Sequence, residues 1–455
     1  MELNKSSKET RAEILKIAGP VFIELFLGTL FGMIDMIMLG NAGDVATTTA
    51  AIAAVGITNQ MMFIGLSLVQ ALTAGATAMV ARYIGAKRFN VIEAVVKHII
   101  IITQIFIVIP ILILGLGFSE EVMTFIGAKS DTIAVGIDYF RIVIFGFLFQ
   151  AFNFSIVASL RGSGDTKTPM KINLTSNFVN VIGNAVLIYG LFGLPALGAT
   201  GAGISTSLSQ VFTTIMLIRY ISRKDSTIHL SLKKKFSFDK NIMYNLIKVG
   251  FPAMLEQVAL RGGILIFTKL VTGLGTLAYA THQICLNILS LSFTPGQAFG
   301  IAASTLSGRS LGAEEPDLAE DYIHKCSRIG ALIASLMGVT FFFFGSVIAG
   351  FYTNSQEVVD QSANILRLVA IIQPFQSSQL IIAGGLRGAG DTVWTLIATF
   401  IGVLGIRVAF AWYFVKVLGL GLMGAWMAIF IDQFIRWIII SLRFRTNRWK
   451  YITLR

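Results

Sequence analysis

Glu24 and Asp35 stand inside ILKIAGPVFIELFLGTLFGMIDMIMLG, residues 14–40, a run long and apolar enough to span a bilayer. Eleven residues separate them. That is close to a whole number of helical turns, so a helix puts both acids on one face, about 16 Å apart along its axis. Pro20, Gly28 and Phe31 share the stripe. A charged acid in hydrocarbon costs about 3 kcal/mol or more, so such a group faces a cavity or a partner. Two chemistries are open to it: binding and releasing a proton or small cation, or hydrogen-bonding a neighbouring helix.

Other polar side chains recur in apolar surroundings. Asn173, Asn177, Asn180 and Asn184 follow at spacings of four, three and four, which places four amides on one helical face. Lipid rejects such a face, so it points inward, either to bond other helices or to orient Asp35 and ligate an ion. Farther on, one stretch carries Glu256, Gln257 and Arg261, and the next carries His282, Gln283 and Asn287 before Pro295, which is expected to kink it. Glu256 and Arg261 are five residues apart and poorly aligned, so the spacing allows a local ion pair without requiring one. A lone membrane histidine serves more often as a packing residue than as a proton carrier. The two cysteines, Cys285 and Cys326, have no metal or redox spacing.

The elements that position these residues follow from composition. Of 455 residues, 55% are hydrophobic and only 13% charged, which describes a polytopic membrane protein and excludes an ordinary soluble enzyme. The apolar start is too long for a signal peptide and no small-residue cleavage site follows it, so the first span is expected to be retained. The pattern predicts twelve spans, near 14–39, 49–81, 91–117, 132–159, 169–190, 198–219, 242–270, 277–307, 326–349, 358–384, 393–415 and 421–442. With the N-terminus in the cytoplasm, the outer loops hold only Lys129 and Lys416 of the 36 Lys and Arg. Arg141, Arg261, Lys269, Arg367 and Arg407 fall within spans or at their ends, Lys16, Lys97, Lys171, Arg219, Lys248, Arg328 and Arg436 lie toward the inner ends of spans, and the rest lie inside. That asymmetry predicts both termini in the cytoplasm. The net charge of +12 therefore reports topology, and the run Lys233, Lys234, Lys235 suits solvent or lipid headgroups without nucleic acid.

The chain repeats itself. LRGSGDT at 160–166 returns as LRGAGDT at 386–392, and Arg82 with Gly85-Ala86 returns as Arg309 with Gly312-Ala313. GATGAGISTSLSQ at 198–210 aligns with GLMGAWMAIFIDQ at 421–433, and Arg141 with Arg367. Pro20-x-x-x-Glu24 corresponds to Pro252-x-x-x-Glu256. Such a repeat predicts a transporter built from two six-span lobes, 1–220 and 242–455, joined by a polar, basic cytoplasmic linker at 221–241. The LRG-x-GDT sequences fall at cytoplasmic turns. Gly162 and Gly164 permit a tight turn, and Thr168 before Pro169 reads as a helix N-cap. A phosphate-binding loop is disfavoured, since no lysine–serine pair and no preceding strand accompany the glycines. The halves are alike in shape and unlike in chemistry: the counterpart of the asparagine-rich span has Arg407 in place of the ladder.

In combination, these pieces give the sequence a family likeness. Pro20 with MIDMIMLG at 33–40, ARYIGA at 81–86, both LRG-x-GDT loops, NFVNVIGNAVLIYG at 177–190 and THQICLNILSLSFTPG at 281–296 resemble the multidrug and toxic compound extrusion (MATE) transporters over essentially the whole chain. The resemblance implies an all-α integral membrane fold of twelve transmembrane helices in two pseudo-symmetric six-helix bundles around a cleft. It implies export of amphipathic, often cationic compounds against inward flow of protons or sodium. By the same resemblance, Asp35 stands at the first-helix coupling aspartate and Asn180 at an asparagine near it. Three positions depart from family patterns. Asn184 stands where some archaeal members have aspartate. Gln376 stands where the sodium-linked norfloxacin exporters have an acid. Leu260 stands where a glutamate follows the helix-seven proline in that branch and in eukaryotic members, Glu256 coming one turn earlier.

The resulting expectation is a membrane antiporter, not an enzyme, without cofactor or bound metal. Ion coupling is assigned to Asp35, Glu24, Asn180 and Asn184, with H+ or Na+ left open. Candidate substrate contacts are Glu256, Gln257, Arg261, His282, Gln283, Asn287 and Gln376. The expected partners are small amphipathic or cationic molecules and membrane lipids. The expected state is a monomer in a prokaryotic inner (plasma) membrane. An alternative is a flippase for lipid-linked sugars, which basic residues such as Arg141, Arg261, Arg367 and Arg407 keep open and the twelve-span count disfavours. An integral-membrane enzyme would need clustered catalytic groups, and the four histidines are scattered.

Overall fold

The computed structural model describes residues 7–41, 45–223, 226–231 and 236–453, with the backbone alone for 45–49. No strand occurs among the described residues. Among the described residues, twelve long helices follow one another. The first six are α1 Ser7–Gly40, α2 Val45–Gly85, α3 Phe89–Gly117, α4 Ser130–Gly162, α5 Lys167–Tyr189 and α6 Gly198–Ile221. The second six are α7 Lys240–Thr272, α8 Thr276–Gly312, α9 Pro316–Gly350, α10 Gln356–Gly388, α11 Thr392–Val417 and α12 Gly421–Arg445. The chain is thus an all-α, multi-pass membrane protein with six helices in each half. The basic run 233–235 and Asp44 lie outside the described residues.

Eleven of these helices are long and apolar enough to cross a membrane. The other, α5, has 23 residues and the length to cross, roughly 35 Å, but its asparagines dilute the apolar content. Several helices outrun the apolar stretches read from the sequence. α9 starts at Pro316, ten residues before the expected span, because a proline at the first helical position is followed by good helix formers. Outward faces are apolar. Leu332, Leu336, Val339 and Phe343 are exposed along α9 at helical spacing, as a lipid-facing stripe requires. Pro20, Pro252, Pro295 and Pro374 all lie inside helices, and α8 continues through Pro295 rather than ending there. In α3 a π-helical turn, Gln104–Val108, precedes Pro110 and accommodates the ring that would clash with the preceding turn.

Contacts divide the chain into two compact units. One comprises 23–80 with 88–246, and the other 1–22, 81–87 and 247–455. In the latter, one core gathers Tyr322, Cys326, Ile381 and Trp449, and another gathers Cys285, Phe341 and Trp426. The repeated Arg-x-x-Gly segments meet there reciprocally. A Cβ on Gly85 would lie 1.9 Å from the Arg309 carbonyl oxygen, and one on Gly312 would lie 2.0 Å from that of Arg82. Only glycine allows this approach.

Both LRG-x-GDT sequences close a helix in the same way. Gly164 and Gly390 each have φ +88°, in the left-handed region. Asp165 N donates to Leu160 O at 3.0 Å and Asp391 N to Leu386 O at 2.8 Å, the six-to-one bond of a Schellman terminus. The motif is a helix stop, as its glycines suggest. The N-cap differs from expectation. α5 begins at Lys167 with Thr166 at the N-cap position, and the Asp165 carboxylate one residue earlier accepts from Thr168 N at 3.1 Å, so the capping side chain is the motif's aspartate and not Thr168. Gly162 and Gly388 serve packing instead: a Cβ there would meet Thr77 O at 2.6 Å and Ser304 O at 2.1 Å.

Candidate ion and substrate sites

In the unit formed by 23–80 and 88–246, α1 and α5 are joined by two rungs. Asn173 Nδ2 donates to Glu24 Oε1 at 2.6 Å, and Asn184 Nδ2 donates to Asp35 Oδ1 at 2.7 Å. The acids are eleven residues apart on one helix and the amides eleven apart on the other, so both rungs form in register. Asn180, with its amide turned to satisfy both ends, donates to Asp35 Oδ2 at 3.1 Å and accepts from Ser205 Oγ and Thr206 N. The structure therefore brings Asp35, Asn180 and Asn184 together and places Glu24 one rung away.

Asp35 is half-buried because it lines a cavity of about 260 Å³. α4 contributes Tyr139 and Gln150 to its wall, α6 contributes Thr206 and Gln210, and α2 contributes Asn59. Sequence reasoning missed these five. The signal was present in α4, where Tyr139, Val143, Gly146 and Gln150 form a stripe at spacings of four, three and four ending in polar groups. Asn184 Oδ1 is buried without a hydrogen-bond partner among the described residues. A carboxylate beside an unsatisfied carbonyl oxygen offers acceptors and an opposite charge, which suits a proton carried on the acid or a small hard cation.

Glu24 is buried and paired with Arg161 of the first LRG-x-GDT sequence, Nη2 to Oε1 at 2.8 Å. The other unit holds its counterpart. Glu256 Oε1 accepts from Arg387 Nη2 at 2.7 Å and from Thr399 at 3.2 Å, and Oε2 accepts from Thr395 at 2.8 Å. Arg261, the sequence neighbour considered for that ion pair, is exposed instead. Gln257 is half-buried, Gln283 donates to the Tyr279 hydroxyl at 2.7 Å, and Asn287 is exposed. His282 is buried between Phe267 and Trp426, with ring centroids 5.6 and 5.5 Å away. Gln376 is buried, and neither of its amide atoms has a partner among the described residues.

Arg407, read from the sequence as the replacement for an asparagine ladder and as one of the basic residues that keep a flippase open, belongs to a buried triad. Its Nε donates to Asp432 Oδ2 at 3.0 Å, and Arg436 Nε donates to Oδ1 at 2.9 Å. The backbone makes room: a Cβ on Gly402, in the π-helical stretch Phe400–Arg407 of α11, would lie 2.3 Å from Asp432 Oδ1. Asp432 and Arg436 sit four apart on α12, a spacing legible in the sequence, whereas the third member comes from another helix. The described residues contain no group of three or more metal-ligating side chains.

A family model named MatE matches residues 20–186 and again 252–413. The chain belongs to this family, the MATE transporters. The two matched segments follow the duplication read from the sequence. Among curated relatives, a probable multidrug resistance protein NorM of Thermotoga maritima is 29% identical over 97% of this chain and 94% of its own length. An uncharacterized transporter of Bacillus subtilis, YisQ, is 28% identical over 98% and 96%. The multidrug resistance protein NorM of Vibrio cholerae is 28% identical over 88% and 86%. Among solved structures, a MATE protein in complex with MaD3S superposes with a TM-score of 0.88 at 23% identity, covering 96% of each chain. A MOP-superfamily transporter from Pyrococcus furiosus, described as having a binding pocket of reverse polarity, gives a TM-score of 0.87 at 23% identity over 96% and 95%. The MATE fold is thereby established, and the protein is a transporter rather than an enzyme.

Proposed function

We propose that this MATE transporter is a secondary active exporter of amphipathic, often cationic compounds, driven by inward flow of protons or sodium. One observation carries the reading: Asp35 lines a cavity large enough for part of a drug-sized molecule, and two amides hold its carboxylate in place. Relatives named as multidrug resistance proteins support it. In this reading Asp35, Asn180 and Asn184 bind the coupling ion and Glu24 assists. An ion neutralising Asp35 weakens its hold on α5 and favours one conformation of the lobe over another. Of the second-half candidates, Gln257, Arg261, Gln283 and Asn287 are accessible and are assigned to substrate. Glu256, His282 and Gln376 are buried and shape the surface behind them. The protein works as a monomer in the bacterial inner membrane with both termini inside, its lobes 1–220 and 242–455 joined by 221–241.

The test is transport by the purified protein in lipid vesicles. A fluorescent cation should move when a pH or a sodium gradient is imposed, and the gradient that drives it names the ion. Movement of neither a cation nor a drug under any gradient would refute the export reading.

A further inference from the structure

The two LRG-x-GDT sequences do more than stop helices. In each half the motif's arginine reaches the glutamate four residues after the proline of the first helix, Arg161 to Glu24 and Arg387 to Glu256. In each half the motif's aspartate is held by the sixth helix. Tyr220 Oη donates to Asp165 Oδ2 at 2.6 Å, and Arg443 Nε donates to Asp391 Oδ2 at 2.7 Å. Tyr220 and Arg443 are themselves equivalent positions, 223 residues apart, as are the aligned segments at 198 and 421. Four residues thus tie the first, fourth and sixth helices of each lobe at one end.

The two ties differ in one atom. In the second half every carboxylate oxygen of Glu256 meets a donor, Oε1 from Arg387 and Thr399 and Oε2 from Thr395. In the first half Arg161 and Asn173 both bond Oε1, and Glu24 Oε2 is buried with no hydrogen-bond partner among the described residues. A proton on Glu24 Oε2 therefore displaces no donor. A proton on Glu256 Oε2 would have to turn the Thr395 hydroxyl away, toward the Thr392 carbonyl that it also reaches at 2.8 Å, and so would displace a donor from the carboxylate. Facing Glu24 are Arg161 from α4 and Asn173 from α5, with Asp35 farther along its own helix. Neutralising Glu24 turns a charge-assisted bond into an ordinary one and loosens the hold of α4 on α1.

The geometry points to two ties of different kind: Glu24–Arg161 is a releasable one that opens when Glu24 takes a proton, and Glu256–Arg387 is permanent. Arg161 is then a positioning residue for coupling, acting through Glu24. This builds on the export reading, because the released helix is the one that carries Asp35.

The test uses the full-length purified protein in lipid nanodiscs, with Asp35→Asn as background so that Asp35 cannot titrate. Backbone hydrogen exchange of 23–40 is followed against pH, after correction for the intrinsic rate, together with thermal melting. Protection in 23–40 should fall on acidification. Glu24→Gln should hold it low at every pH, by on the order of tenfold in exchange rate, with a smaller loss in melting than Glu256→Gln. Arg161→Ala should do the same, and Arg161→Lys should restore part of the pH response. Glu256→Gln should lower the melting temperature markedly or prevent folding. A pH response in Glu24→Gln equal to that of its parent would overturn the proposal, as would an equal melting loss in the two glutamine variants. Absence of transport by the wild-type protein in vesicles would count against the export reading alone, because exchange and melting report the tie directly.

Discussion

Replacing Asp35 by asparagine separates function from stability. The side chain keeps its shape, and its Oδ1 still accepts from Asn184. Its new amide faces Asn180, whose own amide can turn so that its oxygen accepts. Two hydrogen bonds to a charged group, about 1.5–3 kcal/mol each, become two neutral ones of about 0.5–1.5. Removing the charge also relieves the desolvation of a half-buried carboxylate, which offsets most of that loss, so the net cost should be about 1 kcal/mol. Transport has no such compensation: without an ionisable group no ion binds, and export should fall to background. The assay is paired, with drug efflux at matched expression and thermal melting of the purified variant. Wild-type efflux from Asp35→Asn would refute Asp35 as the coupling group. A collapse in melting would show that its role is structural instead.

Other outcomes follow from the same geometry. Asp432→Asn should destabilise the protein by about 3–5 kcal/mol, because it leaves Arg407 and Arg436 buried without their carboxylate; joint replacement of all three by apolar residues should recover most of that loss in melting. Gly388→Ala should cost about 1–3 kcal/mol, read by chemical denaturation, since its Cβ would press on the Ser304 carbonyl. Gly164→Ala should be milder, about 1 kcal/mol, as it strains a left-handed turn with open space around it. Cysteines at Lys129 and Lys416, in a cysteine-free background, should react with an impermeant reagent added outside intact cells, and those at Lys87 and Arg448 should not; the reverse pattern would invert the topology.

Much of this protein is legible in the linear chain. Long apolar runs leave helices as the way to satisfy the backbone in lipid, and basic residues confined to alternate loops predict orientation. The repeat is visible as LRG-x-GDT written twice, and the eleven-residue spacing of Glu24 and Asp35 already places them on one face. The asparagines of α5 mark an inward face for the same reason of period. What periodicity cannot supply is the partner across helices. That Asn173 meets Glu24 while Asn184 meets Asp35 depends on how α1 lies against α5. That Glu256 chooses Arg387 over Arg261 depends on the fold bringing residues 131 apart within 2.7 Å. Asp432, one acid in an apolar helix, gives no local sign of the arginine 25 residues before it. Helical spacing is a property of one chain segment, and so the sequence carries it. Hydrogen-bond satisfaction is a property of neighbours brought together by packing, and only the tertiary structure decided that, among the described residues, one oxygen of Glu24 goes without a donor while its counterpart in Glu256 does not.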